Sequence, residues 1–307
     1  MNILLRRLLQ AIPTLLALSF VVFMTLELVP GSAASAVLDD ASSTAAESLL
    51  CEQLNCDRPV LERYVSYLGG LLRGEGGTSI RNGRAVSDEI LLRLPSTLAL
   101  TAAAIAVAVV IGGTLGSIAA TRQGTGVDTA ITGVVSVAAS LPSFWVALIL
   151  VSIFALQLGW LPVFGSGSPR HYVMPVLSVA VSLVPGITLL TRSSLLEVRR
   201  QMFVVAAHAR GLSERRVFWR HVEPVAAIPV ISYVGMQAVH LVGSLVAIEI
   251  IFNLPGLGGL AVQAALDRDP FLLQGATLTI AVITFGILLV VDVLVMILDP
   301  RISSAQP

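Results

Sequence analysis

Six stretches of this chain run close to the length of a lipid bilayer with almost no charge in them, and this pattern limits what it can fold into. A helix needs about 20 apolar residues to cross the hydrocarbon core. Inside lipid the backbone must satisfy its own polar groups, and for apolar runs this long a helix does so. The candidates are Leu8 to Leu26, Leu94 to Thr121, Thr129 to about Gln157, His171 to Thr191, Pro224 to Ile248 and Pro270 to Val291. An apolar run through Asp292 extends the last to Leu298, and His240 alone breaks the fifth. The expected fold is an all-α integral membrane protein with six transmembrane helices, both termini on the same side and an extracytoplasmic segment between the first two helices.

Charge supports this and sets an orientation. The chain is 55% hydrophobic and only 12% charged, about half the charge of a typical soluble domain. Its formal net charge of zero gives no reason to expect a nucleic-acid partner. All 19 basic residues are arginine. With a cytoplasmic N-terminus, the inner segments hold Arg6, Arg7, Arg122, Arg192, Arg199, Arg200, Arg210, Arg215, Arg216, Arg220 and Arg301. The two short outer loops then hold only Arg170 and Arg268. Basic residues concentrate on the cytoplasmic side, so both termini are expected inside. A rival for the start is a cleaved signal peptide, with Arg6-Arg7, an apolar run and then Ser32-Ala33-Ala34-Ser35-Ala36. That apolar run is longer than the usual signal core of roughly 7–15 residues.

Pro30 to Arg93 is the one sizeable segment expected outside the membrane. It carries both cysteines, Cys51 and Cys56. A disulfide closing a small loop is open there because the outer side is oxidising. Two cysteines without nearby histidines make a poor metal site, and none is expected. Tyr64 to Leu72 reads as a short amphipathic helix, Gly74 to Gly83 as a glycine-rich turn region, and Val86 to Leu94 as an interfacial helix entering the second span.

Ser193 to Glu223 is the charged cytoplasmic stretch, interrupted by Val204-Val205-Ala206-Ala207, Leu212 and Val217-Phe218-Trp219. Gly211 and Ser213 divide it, and Ser213 is a candidate cap for a second helix. A plain basic loop has no need of adjacent aromatics flanked by arginines, so a docking element is expected. The alternative for each arginine is contact with lipid headgroups.

Several motifs along nearly the whole length resemble one family. Leu5 to Thr14 and Leu28-Val29-Pro30-Gly31 bracket the first helix; Leu141-Pro142-Ser143-Phe144-Trp145 and Gly159-Trp160-Leu161-Pro162 follow in the third. Ala207 to Leu212 and Arg220-His221 lie in the cytoplasmic stretch. Glu249, Phe252, Pro255-Gly256-Leu257-Gly258, Arg268-Asp269 and Asp299-Pro300-Arg301-Ile302 complete the series. In this order they resemble the permease subunits of the dipeptide and oligopeptide ABC importers, a family that also includes nickel carriers. Departures are Ser32-Ala33 after Gly31, Val205 where a charge is common, Glu223-Pro224 after the coupling-loop histidine, and Val295 where tyrosine is frequent.

The resemblance implies a type I permease fold in a bacterial inner membrane: residues 1–29 form the first helix, 30–95 the outer segment and 96–303 the permease core, with the coupling loop at 193–223. It implies a pore subunit importing di- or oligopeptides, paired with a second homologous permease over two ATPase subunits and fed by an extracytoplasmic solute-binding protein. Nickel complexes or haem are alternative cargoes. The chain has no G-x-x-x-x-G-K-[ST] phosphate loop, so it is expected to be non-catalytic and to bind no cofactor, with ATP and Mg on the partners. The contact would use Ala206 and Ala207 for close approach, Leu212 and Phe218 to fill a groove, and Arg210, Gly211, Arg215, Arg216, Arg220 and His221 around them.

Polar residues inside spans are costly and mark passages or helix contacts. Gln237, His240 and Ser244 share one face of the fifth helix, with Glu249 near its outer end, and are expected to line the passage. Ser178 and Ser182 form a second face; Asp292 is expected to pair structurally with an arginine. The alternative for Gln237 and His240 is bonding between helices. Two other classes are a gradient-driven secondary transporter, which would show internal repeats around midplane charges, and a structural or signalling subunit without an ATPase partner.

Overall fold

The computed structural model describes residues 3–27, 58–73 and 76–298. Cys51, Cys56 and the closing Asp299 to Ile302 lie outside the described residues, as does the side chain of Asp292. The described chain is almost wholly helical. It falls into two compact units, one of residues 1–97 with 255–285 and one of 98–254 with 286–307. Residues 255–285, expected within the 96–303 core, thus group with the N-terminal segment.

In the first unit, α1 (Ile3–Glu27) meets α2 (Val60–Leu72). Tyr64 stacks edge-on to Phe20 and Phe23, and its hydroxyl reaches the Leu16 carbonyl at 3.0 Å and Ser19 Oγ at 2.7 Å. Burial, with Tyr64 alongside, pushes the Tyr67 phenol up to about 12. A tight turn follows, in which Thr78 bridges Ala85 antiparallel. It leads into α3 (Val86–Thr121). At 36 residues α3 is about 54 Å long, far beyond the roughly 30 Å of hydrocarbon. The expected interfacial helix at Val86 to Leu94 forms the first turns of α3 and runs without a break into the second span. Buried Glu89 in its first turns is held by Arg93, Arg84 and Asn82.

The short apolar α10 (Leu257–Leu266) and the opening of α11 (Pro270–Leu298) pack on Val86 through Leu257, Leu260, Ala264, Leu272 and Ala276. The Leu257 amide donates to Thr97 Oγ1 at 2.9 Å, and Asp269 accepts from Ser79 Oγ at 2.5 Å and the Leu272 amide at 3.1 Å.

The second unit contains the rest of α3, then α4 (Gly126–Ala138), α5 (Ser143–Leu150, continuing as a wide π-helical stretch to Gln157), α6 (Arg170–Arg199), α7 (Met202–Ala209), α8 (Glu214–Val217) and α9 (Glu223–Ile251). Its main core joins Leu100, Ala104 and Ala108 of α3 to Met174, Val179, Leu183 and Ile187 of α6 and Leu241, Leu245 and Ile248 of α9. Gly116 of α3 allows close crossing: a Cβ there would lie 2.6 Å from the Thr188 carbonyl.

Four helical runs among the described residues are long and apolar enough to cross a membrane: 86–121, 170–199, 214–241 and 270–291. The third candidate span, Thr129 to about Gln157, is broken in its middle. α4 and α5 meet at 99°, across Ser140-Leu141-Pro142, where proline at 142 removes a helical donor and drives the preceding residue to extended backbone. α1 runs for 25 residues, and its stretch Ala11–Met24 is apolar.

Candidate coupling site and passage

Residues 193–223 fold as a helical corner. The last turns of α6 bury Leu195 and Val198. After a turn at Arg200 and Gln201, α7 buries Val204 and Ala207 against them, with Ala120 of α3, Val217 and Val222 beyond α7, and Ala226 of α9 completing the cluster. The opposite face of α7 is open: Met202, Val205, Ala206 and Ala209, at i, i+3, i+4 and i+7, are exposed. Met202 is 80% exposed and Val205 55%, against 7% for Ala207.

Gly211 ends α7 with φ at +76°, in the left-handed region that glycine adopts without Cβ penalty. Its amide donates to the His208 carbonyl at 2.8 Å and the Leu212 amide to the Ala207 carbonyl at 3.4 Å, the bonding pattern of a Schellman cap. Leu212 then packs back on the cluster holding Ala207. His208 Nε2 lies 2.9 Å from Glu214 Oε1 across the turn. Ser213, extended, precedes α8, so two helices meet at the division expected at Gly211 and Ser213.

From α8 the helix continues unbroken through a wide π turn at Phe218–Val222 into α9. Pro224 accounts for the widening: it has no N–H for the Arg220 carbonyl, and its ring crowds that oxygen. Phe218 packs partly on the cluster beneath the Arg199 guanidinium, 5.7 Å from its ring centroid. Trp219, edge-on to Phe218, is exposed, as are Arg210, Arg215, Arg216 and Arg220; His221 is half-buried. Leu212 and Phe218, expected to fill a partner's groove, face this chain's own cluster instead. Within α7 itself, Val204 and Ala207 share the buried face because they lie three residues apart.

Sequence reasoning missed an ion pair beside this corner. Arg192 of α6 donates from Nε to Asp128 Oδ1 at 2.6 Å and from Nη2 to Oδ2 at 2.7 Å. The Gly124 amide adds a bond to Oδ2 at 3.0 Å. The available signal was a lone carboxylate at 128 beginning an apolar run.

The residues expected along a passage divide. On α9, Gln237 is half-buried and His240, Gly243, Ser244 and Ala247 are exposed along one open face. Ser244 Oγ donates to the Leu241 carbonyl at 2.9 Å. Glu249 is only 1% exposed and shares the packed face with Leu241 and Leu245, so it does not join them. Ser178 is buried and donates to the Met174 carbonyl at 2.7 Å, while Ser182 is exposed and donates to the Val179 carbonyl at 2.7 Å. Among the described residues no three His, Cys, Asp or Glu side chains converge as a metal site requires.

Residues 112–304 match the family described as binding-protein-dependent transport system inner membrane component, and residues 1–101 match its N-terminal companion. The oligopeptide transport system permease protein AppB of Bacillus subtilis is 33% identical over 309 residues, covering 97% of this chain and 98% of that one. The glutathione transport system permease protein GsiC of Salmonella choleraesuis is 34% identical, covering 98% and 99%. The dipeptide transport system permease protein DppB of Alkalihalophilus pseudofirmus is 34% identical, covering 97% and 98%. Among solved structures, the inward-facing MetNI methionine ABC transporter aligns with a TM-score of 0.57 at 18% identity, over 68% of this chain and 96% of that one. That likeness places the fold with ABC importer membrane subunits. The chain is a multi-pass membrane protein and belongs to the family of binding-protein-dependent transport system inner membrane components.

Proposed function

We propose that this chain is one pore-forming subunit of an ATP-driven importer for di- and oligopeptides delivered by an extracytoplasmic binding protein. The observation that carries this reading is end-to-end similarity, at 33–34% identity, to permeases named for oligopeptides, dipeptides and glutathione, itself a tripeptide. A second homologous permease would complete the pore, and two ATPase subunits would hold ATP and Mg. In the membrane, α1, α3, the α4–α5 pair, α6, the α8–α9 run and α11 would be the six spans. Both termini and the corner at 193–223 would then be cytoplasmic, and 30–95 outside. The open α9 face of Gln237, His240 and Ser244 would line the passage, where mildly polar groups suit peptide backbones.

The outward face of α7 would meet the ATPase: Met202 and Val205 as apolar anchors, Ala206 for close approach, and Arg210, Arg215, Arg216 and Arg220 as orienting rim charges. Because α7 is packed on α3, α6 and α9 together, movement of the motor would move all three as a rigid group.

The test is peptide-stimulated ATP hydrolysis and peptide uptake by the complete reconstituted complex. Val205→Asp should bury a charge at the contact, weakening it by about 3 kcal/mol or more, and remove stimulation. Leu212→Asp and Phe218→Asp should fail earlier, at assembly, because the charge enters this chain's own cluster. Full stimulation in Val205→Asp contradicts the docking face. Stimulation by nickel complexes or haem but by no peptide contradicts the cargo.

A further inference from the structure

We propose that Asp128 and Arg192 form a strut that carries motion of the coupling corner into the third span, a positioning role that rests on the docking reading above. Three observations converge on it. The pair is bidentate, and Asp128 is 5% exposed, so the carboxylate is fixed in direction as well as distance. Arg192 lies one turn before Leu195 and two before Val198, the α6 residues on which Val204 and Ala207 of the corner pack. On the other side, Asp128 begins α4, and the Gly124 amide ties it to the turn that follows α3.

The α3–α4 turn is therefore gripped twice. Ala120 enters the coupling cluster just before it, and Asp128 is clamped by Arg192 just after it. Without the clamp, a displacement of α7 would reach α3, α6 and α9 through packing, while the α4–α5 pair would be linked to α6 by apolar contacts that slide. With it, the start of α4 must follow the end of α6. The guanidinium matters here: its two parallel bonds resist pivoting, and a single ammonium contact does not.

Arg192→Lys keeps the charge and loses the two-point contact; Asp128→Asn keeps an acceptor for Gly124 and loses the charge. Both are measured in the complete reconstituted complex for assembly, basal ATP hydrolysis and peptide imported per ATP. Expected is normal assembly and basal hydrolysis with peptide per ATP lowered about fivefold or more, and a double variant no worse than either single. Wild-type transport per ATP in both assembled variants overturns the strut.

Should either fail to assemble, cysteines replace both residues in a Cys51→Ser, Cys56→Ser background, which leaves neither charge unpaired. A short reducible bis-thiol linker across them should restore peptide per ATP, and reduction should remove it; no restoration in the bridged complex overturns the proposal. Val205→Asp, run in parallel, separates the two claims. If it uncouples while Arg192→Lys does not, the strut alone fails; if it stays coupled, the docking reading fails and the strut with it.

Discussion

At Gly116 and Gly133 the same residue type sits in two helices under opposite constraints. A Cβ on Gly116 would lie 2.6 Å from the Thr188 carbonyl and 2.7 Å from Thr191 Cβ, so the α3–α6 crossing depends on its absence. A Cβ on Gly133 meets nothing within 4 Å. Gly116→Ala should therefore cost about 1–3 kcal/mol through overpacking, whereas Gly133→Ala should be neutral or stabilising by up to about 1 kcal/mol through helix propensity. Thermal unfolding of both variants in detergent checks the pair; equal shifts would mean that the crossing is looser than described. In sequence these glycines look alike, because the partner that decides between them is some 70 residues away. Gly211 was legible as a divider, since a glycine after an apolar helical run is the usual stop. The inward turn of Leu212 and Phe218 was not, because an apolar residue between arginines suits a partner's groove or its own core equally well.

Single helices repay the same comparison. The uncharged runs located α3, α6, α9 and α11, since lipid demands length and little else. They concealed the 99° break between α4 and α5, because Ser140-Leu141-Pro142 interrupts the geometry without interrupting the hydrophobicity. They also gave no sign that Glu89, in the first turns of α3, is buried, which it is because Arg84, Arg93 and Asn82 surround it. The corner before α11 depends on Asp269 in a similar way. Its carboxylate caps the helix through the Leu272 amide and holds the 78–85 turn through Ser79. Asp269→Ala leaves two buried donors without an acceptor and should cost about 2 kcal/mol or more. Hydrogen exchange reads this directly: the Ser79 and Val86 amides, bonded to Arg84 and Gly77, should exchange faster in the variant. Unchanged protection would show that the turn stands without the carboxylate.

For the molecule as a whole, membership of the transport family was readable because its motifs are spread from Leu5 to Ile302 in order. The candidate site was readable in place more than in facing. The corner at 193–223 lies between α6 and α9 as expected, yet the open face of α7 and the separation of Glu249 from His240 are set by tertiary packing that the sequence does not display. The central claim is that this corner is where the ATPase pushes. The most direct measurement is site-specific cross-linking in the complete complex, with one cysteine at a time in a Cys51→Ser, Cys56→Ser background. We predict that a cysteine at exposed Val205 cross-links to an ATPase subunit, and that one at Val217, 1% exposed in the chain's own cluster, does not. Labelling of the Val205 position by an impermeant thiol reagent from outside the cell, or no cross-link from it in an actively hydrolysing complex, would contradict that claim.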